Sequence, residues 1–171
     1  MFLDPEKVLD QLELRSDMVA AEFGAGSGSF TVFLAKRLGE GLVYAVDILE
    51  APLSALKSRQ LLENLNNIKI VKGDLEKPNG STITDSSLDL VVIPNVLFQA
   101  EDKIAIISEA DRILKMGGSL VLIDWNPDAS KGPEEGRISS EEAKGMAEKV
   151  GLKFKKEIEA GDYHFGLVFE K

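Results

Sequence analysis

Glu22-Phe23-Gly24-Ala25-Gly26-Ser27-Gly28 decides how the rest of the chain is read. It closes an apolar run, Met18 to Phe23, that fits a buried strand. It leads into Phe30, Phe33, Leu34 and Leu38, which recur at helical spacing. The unit is therefore strand, glycine loop, helix. Glycine permits positive φ and lets a ligand approach the backbone closely. The N–H groups at the start of the next helix favour an anionic ligand group. Dinucleotide sites use the same unit with the spacing G-x-G-x-x-G. Here the third glycine falls one residue early, and Ser29 stands where that fingerprint needs Gly. The spacing thus argues against a nicotinamide-type oxidoreductase.

Outward from the loop, short apolar runs alternate with amphipathic segments, the pattern of a parallel sheet covered by helices. Strands are expected at 42–46, closed by Asp47, at 68–71 before Gly73-Asp74, at 88–93 and at 119–124. The run 88–93 is the most apolar and should be central. Helices are expected at 52–65, with Leu53, Leu56, Leu61 and Leu65 inward, and at 102–114, with Ile104, Ile107, Ala110, Ile113 and Leu114 inward. Met116-Gly117-Gly118 reads as a turn. Asp4-Pro5 opens a short N-terminal helix, part of a cap over 1–14 whose apolar side is Val8, Leu9, Leu12 and Leu14. Residues 126–137 hold two prolines and two glycines and are too long for a tight turn, so a lid or substrate loop is expected there. Ser139 or Ser140 caps a helix ending at Gly151, and residues 153–158 and 163–169 form an antiparallel pair.

Composition sets the outer limits. A chain of 171 residues fits one domain, 1–171, and buries roughly 70% of its unfolded surface. There is no cysteine and one histidine, so disulfides, thiolate metal sites and multi-histidine sites are excluded, and no metal is expected. The net charge of −9 argues against a nucleic-acid partner, because phosphate contacts need a basic face. The densest basic cluster, Lys153, Lys155 and Lys156, alternates with apolar residues and marks the wet face of a strand. No segment reads as a secretion signal or a membrane span, so a cytoplasmic protein is expected.

Five segments together resemble the class I S-adenosylmethionine-dependent methyltransferases. Glu22 to Gly28 is similar to their acidic residue followed by G-x-G-x-G. Val43-Tyr44-Ala45-Val46-Asp47 is similar to their second strand and its acidic end. Asp47 lies about twenty residues past the loop, the distance from a glycine loop to the next strand end. Lys72-Gly73-Asp74-Leu75 is similar to their Gly-Asp pair, and Asp89-Leu90-Val91-Val92-Ile93-Pro94-Asn95 to their D-L-V strand. Arg112-Ile113-Leu114-Lys115-Met116-Gly117-Gly118 is similar to R-x-L-K-P-G-G with Met in place of Pro. The nearest likeness is to the small methyltransferases of the quinone-biosynthesis type. The resemblance implies a Rossmann-like α/β three-layer sandwich: a seven-stranded, mostly parallel sheet in the order 3-2-1-4-5-7-6 with an antiparallel C-terminal strand.

The resemblance also implies S-adenosyl-L-methionine as cofactor, S-adenosyl-L-homocysteine as product and a small-molecule or lipid-like acceptor. Gly24, Ala25, Gly26 and Gly28 would face the methionine part, with Glu22 orienting the loop. Asp47 would accept from the ribose diol, Ile48 would pack on adenine, and Asp74 with the Leu75 N–H would read the adenine edge. Pro94 and Asn95 would lie beside the sulfonium. Pro94-Asn95-Val96-Leu97 departs from the Pro-Pro-Tyr of amide and amine methylating relatives. A general base is needed only if the acceptor must lose a proton; the catalytic candidates are Asn95, Asp124 and His164. Phe2, Phe98, Trp125, Arg137 and Tyr163 are candidate substrate contacts, Arg137 for an anionic group. With so short an N-terminal cap, a homodimer is one way to cover the substrate. The competing expectation is a catalytically silent cofactor-binding regulator or scaffold with the same motifs.

Overall fold

The protein is described from a computed structural model covering residues 2–171. Met1, the first residue of the expected N-terminal cap, lies outside the described residues. The apolar runs form seven strands: β1 (Val19–Phe23), β2 (Leu42–Asp47), β3 (Ile68–Lys72), β4 (Leu88–Pro94), β5 (Leu114–Trp125), β6 (Lys153–Ile158) and β7 (His164–Glu170). They make one sheet in the order β3-β2-β1-β4-β5-β7-β6, parallel except at β7. This is the topology that the family resemblance implies. β7 runs against β5, so its first residue, His164, pairs with Trp125 at the end of β5. That reversal brings the start of β7 to the edge where the parallel strands end.

The helices are α1 (Pro5–Leu9), α2 (Thr31–Arg37), α3 (Glu50–Leu62), α4 (Lys103–Ile113) and α5 (Ser140–Val150). Two hydrophobic layers follow from strand alternation. Val92 of β4 and Ile123 of β5 face Val8, Leu34 and Leu56 of the first three helices. Val91 and Leu122 face Ile107, Ala110 and Ala143 of the last two. Each fully buried Val, Leu, Ile or Phe contributes about 1.5–3 kcal/mol from transfer out of water. β4 lies between β1 and β5 with nearly every residue buried, as its composition predicts. The ends are set locally. Asp4 accepts from the Glu6 N–H at 3.0 Å ahead of Pro5. Ser139 and Glu142 form a reciprocal capping box, and Gly151 at φ 111° closes α5.

Several boundaries differ from the sequence reading. α1 stops at Leu9, because the chain turns at Asp10; Leu12 and Leu14 reach the core edge from irregular backbone. Leu61, 71% exposed, lies at the outer end of α3, and Ile104 is also exposed, on the first turn of α4. Helical spacing points both toward the sheet, but each helix end overhangs it. Lys115-Met116-Gly117-Gly118 extends β5 rather than turning, through a register shift against β4 between Leu88 and Leu90. The basic cluster of β6 faces solvent as expected. Among the described residues no helix is long and apolar enough to cross a membrane.

The long link from β3 to β4 is tied down by one charged group. Buried Glu109 of α4 accepts from the Ser81 N–H at 2.9 Å and hydroxyl at 2.6 Å. Arg112 donates to both Glu109 oxygens at 2.9 and 2.7 Å, to the Ile83 carbonyl at 2.8 Å, and to Asp85. Burial alone would raise the Glu109 carboxyl, but the guanidinium and Ser81 outweigh it and hold it below its ordinary range. The interaction is therefore present above the ordinary carboxylate range and lost as pH falls. Arg112→Ala leaves a buried charge uncompensated and should cost about 3 kcal/mol in urea unfolding. The double variant with Glu109→Gln should recover part of that loss, and equal losses in the two proteins would reject the ion-pair account.

Candidate functional site

The loop after β1 is built around a carboxylate that never reaches solvent. Glu22, fully buried, accepts from the Thr31 N–H at 2.6 Å, the Thr31 hydroxyl at 2.5 Å, the Phe30 N–H at 3.3 Å and the Ser29 hydroxyl at 3.4 Å. These donors lie at the start of α2, where backbone N–H groups have no helical partner. Burial pushes the carboxyl up to about 7, against the opposing pull of Thr31, Phe30 and Ser29. Glu22 thus holds the loop from beneath and does not line the cleft above it.

Two glycines shape the loop's upper surface. Gly24, at φ +69°, has no room for a Cβ, which would collide with the Val96 side chain. Gly26, at φ +52°, would carry its Cβ into open space, so its backbone is open to a ligand. Asp47, the last residue of β2, accepts from the Gly26 N–H at 2.8 Å and from the Leu49 N–H at 2.9 Å. Each carboxylate oxygen keeps lone-pair capacity beyond that single bond. Asp74, just past β3, accepts from the Glu76 N–H at 3.1 Å.

Gly24, Gly26, Asp47, Ile48, Asp74 and Leu75 line one cleft of about 370 Å³ across the ends of β1 to β4. The sequence singled out all six. Ile48 and Leu49 stand 56% and 61% exposed at its mouth. The sequence reading missed several further lining residues. Gly73 stands inside the Gly-Asp motif without an assigned role, and Leu49 and Glu76 are chain neighbours of motif residues, so adjacency was a usable signal. Val96, part of Pro94-Asn95-Val96-Leu97 but without an assigned role, precedes the 3-10 turn Leu97–Gln99; Gln99 and Ile106 arrive from that turn and from α4, where no local motif marks them. Ala25 and Pro94 are buried, Gly28 packs toward Leu56, and Glu22 lies below, so these four stand outside the lining.

The remaining candidates occupy the neighbouring rim. Asn95, at φ +56°, donates its N–H to Ile123 at 2.8 Å, and its Oδ1 is buried without a partner. Asp124 is buried and accepts from the N–H groups of Phe98 at 3.2 Å and Trp125 at 2.8 Å. Burial pushes its carboxyl up to about 6, against the Trp125, Phe98 and Leu97 backbone bonds and the charge of Lys103. Its bonds make it the anchor of the 3-10 turn on β5. His164 packs on Trp125 with ring centroids 4.1 Å apart. Exposed Phe2 lies against Tyr163 at 5.3 Å. Arg137 donates to the carbonyls of Asn126, Pro127, Ala129, Lys131 and Pro133, at 2.5–3.2 Å. In this structure its guanidinium organises loop 126–137. No cluster that could hold a metal ion is found among the described residues.

Comparison with known proteins adds a family. The family model described as a methyltransferase domain matches residues 21–122. The demethylmenaquinone methyltransferase of Staphylococcus aureus (strain MRSA252) is 31% identical over 121 residues, 70% of this chain and 48% of that protein. The chain thus spans about half the length of that relative. Among solved structures, a SAM-dependent methyltransferase from Aquifex aeolicus superposes with a TM-score of 0.88 at 27% identity, covering 98% of this chain and 89% of that one. The [4+2]-cyclase SpnF superposes with a TM-score of 0.79 at 16% identity, covering 91% of this chain and 58% of its own, and shares the fold alone.

The raised carboxyl of Glu22 gives a pH signature. Its folded value of about 7 lies above the ordinary 4.5, so the folded state holds the proton more tightly. That stability is fully present below about 4.5 and is lost as pH rises toward 7. Glu22→Gln removes the titration. Thermal unfolding followed from pH 5 to 8, at about one-unit steps, should show a shallower pH slope in the variant than in the parent. Parallel slopes would reject the raised value.

Proposed function

Because the chain belongs to the methyltransferase-domain family, we propose that it transfers a methyl group from S-adenosyl-L-methionine to a small-molecule acceptor, releasing S-adenosyl-L-homocysteine. The observation that carries this reading is the pair of carboxylates, Asp47 and Asp74, at the ends of adjacent strands on the same cleft as Gly24 and Gly26. A nucleoside with a vicinal diol needs acceptors for its two hydroxyls, and Asp47 offers both oxygens at a point fixed by Gly26 and Leu49. Asp74 offers an acceptor to an exocyclic amine one strand further out. Ile48 and Leu49, exposed at the mouth, gain most from covering a flat apolar ring. Gly26 has open space where a side chain would stand, which suits an amino-acid tail laid along the backbone.

The cofactor, when bound, supplies a methyl group already activated on a sulfonium. The protein's task is then to orient the acceptor in line and to exclude water. Gly24 and Gly26 bring the backbone close, Asp47 and Asp74 fix the nucleoside end, and Asn95 at the end of β4 borders the reacting side. Asp124 keeps the 3-10 turn in place through Phe98, which holds that border against β5. We read residues 1–171 as one methyltransferase domain with loop 126–137 as its lid. A cytoplasmic location belongs to the same reading, as does a homodimer as one cover for the acceptor side.

Calorimetry with S-adenosylmethionine, S-adenosylhomocysteine and NAD tests the cofactor. Binding of both sulfur nucleosides and not of NAD is expected. Asp47→Ala should weaken S-adenosylhomocysteine binding by at least ~1.5 kcal/mol, about tenfold, the scale of a hydrogen bond to a charged group. Unchanged affinity in that variant rejects the ribose role. Labelled methyl transfer into a cellular extract should yield a product; intact binding without any product would instead mark a silent binder.

A further inference from the structure

Buried polar atoms in folded proteins almost always have a hydrogen-bond partner, so each exception asks for a reason. Among the described residues the buried side-chain atoms without one are Asn95 Oδ1 and both ring nitrogens of His164. They belong to two residues on one rim. Asn95 follows the last residue of β4, whose partner on β5 is Ile123; His164 opens β7 opposite Trp125. β5 lies between them. The two residues are therefore about two strand spacings apart, roughly 10 Å. Chance would scatter such atoms through the fold, but these flank the strand end next to the proposed cofactor cleft.

From this clustering we infer that His164 is an acceptor-recognition residue, which receives a hydrogen bond from a planar small molecule bearing an O–H or N–H donor. The inference rests on the methyltransferase reading, in which Asn95 borders the cofactor side and His164 the far side of the acceptor. His164 is 5% exposed. Burial lowers its imidazole to about 4, so the ring is neutral at physiological pH and one nitrogen is free to accept. One face of Trp125 carries the His164 ring; the backbone of Gly132 in loop 126–137 also lies on the indole, so close that a Cβ there would collide with it. A planar ligand that displaces Gly132 gains the indole surface and the imidazole acceptor together. A rim cavity of about 460 Å³, bordered by Asn126, Ser140, Ile158, Ala160 and His164, opens beside the imidazole on the side of the β6–β7 turn. Its other borders include the carboxylates Glu157, Glu159 and Asp162 and no lysine or arginine, which favours donors over anions.

His164 is the chain's one histidine, so its ring resonances report on this site alone. Protein saturated with S-adenosylhomocysteine is titrated with phenol, aniline and anisole while the His164 ring nitrogens and Cε1–H are followed by NMR. Saturable shifts with phenol and aniline, absent with anisole, are expected. No shift with any of the three, or equal shifts with anisole, overturns the inference. His164→Phe provides a second arm. If the ring serves a ligand and not the fold, removing its two unpaired nitrogens should raise Tm by a few degrees and abolish phenol binding, with S-adenosylhomocysteine affinity unchanged. A lowered Tm, or retained phenol binding, overturns it. Loss of S-adenosylhomocysteine binding by the parent protein overturns the cofactor reading, and the acceptor role with it. Cofactor binding with a silent histidine overturns the His164 assignment alone.

Discussion

The cofactor side of the structure hangs on one buried carboxylate. An isolated ionised group inside a protein costs several kcal/mol, and no cationic side chain bonds Glu22. Its compensation comes from four neutral donors at the start of α2 and from the positive end of that short helix. Burial still wins in part, which is why the carboxyl is raised and not lowered. The same bonds make strand end, loop and helix start one unit. Gly28 donates back to Ala25 at 2.7 Å, and Ala25 donates to Val46 of β2 at 3.0 Å. Gly26 then has its N–H aimed at Asp47. The position of Asp47 relative to the loop, on which any nucleoside contact depends, is thus inherited from a residue that touches no ligand.

The two sides of the rim differ in how they treat polar atoms. On the cofactor side, the carboxylates of Glu22, Asp47 and Asp74 each accept from backbone N–H groups. That side is preorganised, and a ligand adds bonds without asking the protein to move. On the other side, Asn95 and His164 keep unpaired atoms under cover. The difference matches a division of labour. Under the proposed reading, a cofactor common to the family is met by backbone geometry and the acceptor by side chains.

The sequence made much of this legible, for a physical reason. Glycine spacing, strand-end carboxylates and apolar runs are local features; they gave the alternation of strands and helices, and the family resemblance they carry implied the sheet order and six of the cleft-lining residues. What failed depended on where elements end relative to their neighbours. Leu61 and Ile104 have the spacing of core positions but lie where their helices overhang the sheet. Met116-Gly117-Gly118 has turn chemistry, yet pairing across to β4 and β7 draws it into a strand. Gln99 and Ile106 reach the cleft only because the turn after β4 is pinned by Asp124, a long-range bond that no spacing rule contains.

Arg137 shows the same limit and adds a constraint on the acceptor side. By residue type and loop position it reads as an anion contact. The structure directs its guanidinium at five carbonyls of its own loop, groups that would otherwise need water. A loop held by one central cation moves as a body, because shifting one segment strands the carbonyls of the others. Across the rim, Gln11 exchanges two amide hydrogen bonds with Glu159, at 2.9 and 2.8 Å, and its carbonyl accepts from Lys156 at 2.8 Å. The N-terminal segment is therefore latched to the β6–β7 turn, while loop 126–137 is held by its own arginine, by the Asn126 N–H donating to the Tyr163 carbonyl at 2.9 Å, and by packing on Trp125 and Phe98. The arginine bonds of the loop are internal and its Asn126 end is tied to the start of β7, so lifting Gly132 from Trp125 moves the loop past Asn126 and leaves the latch at Gln11 in place.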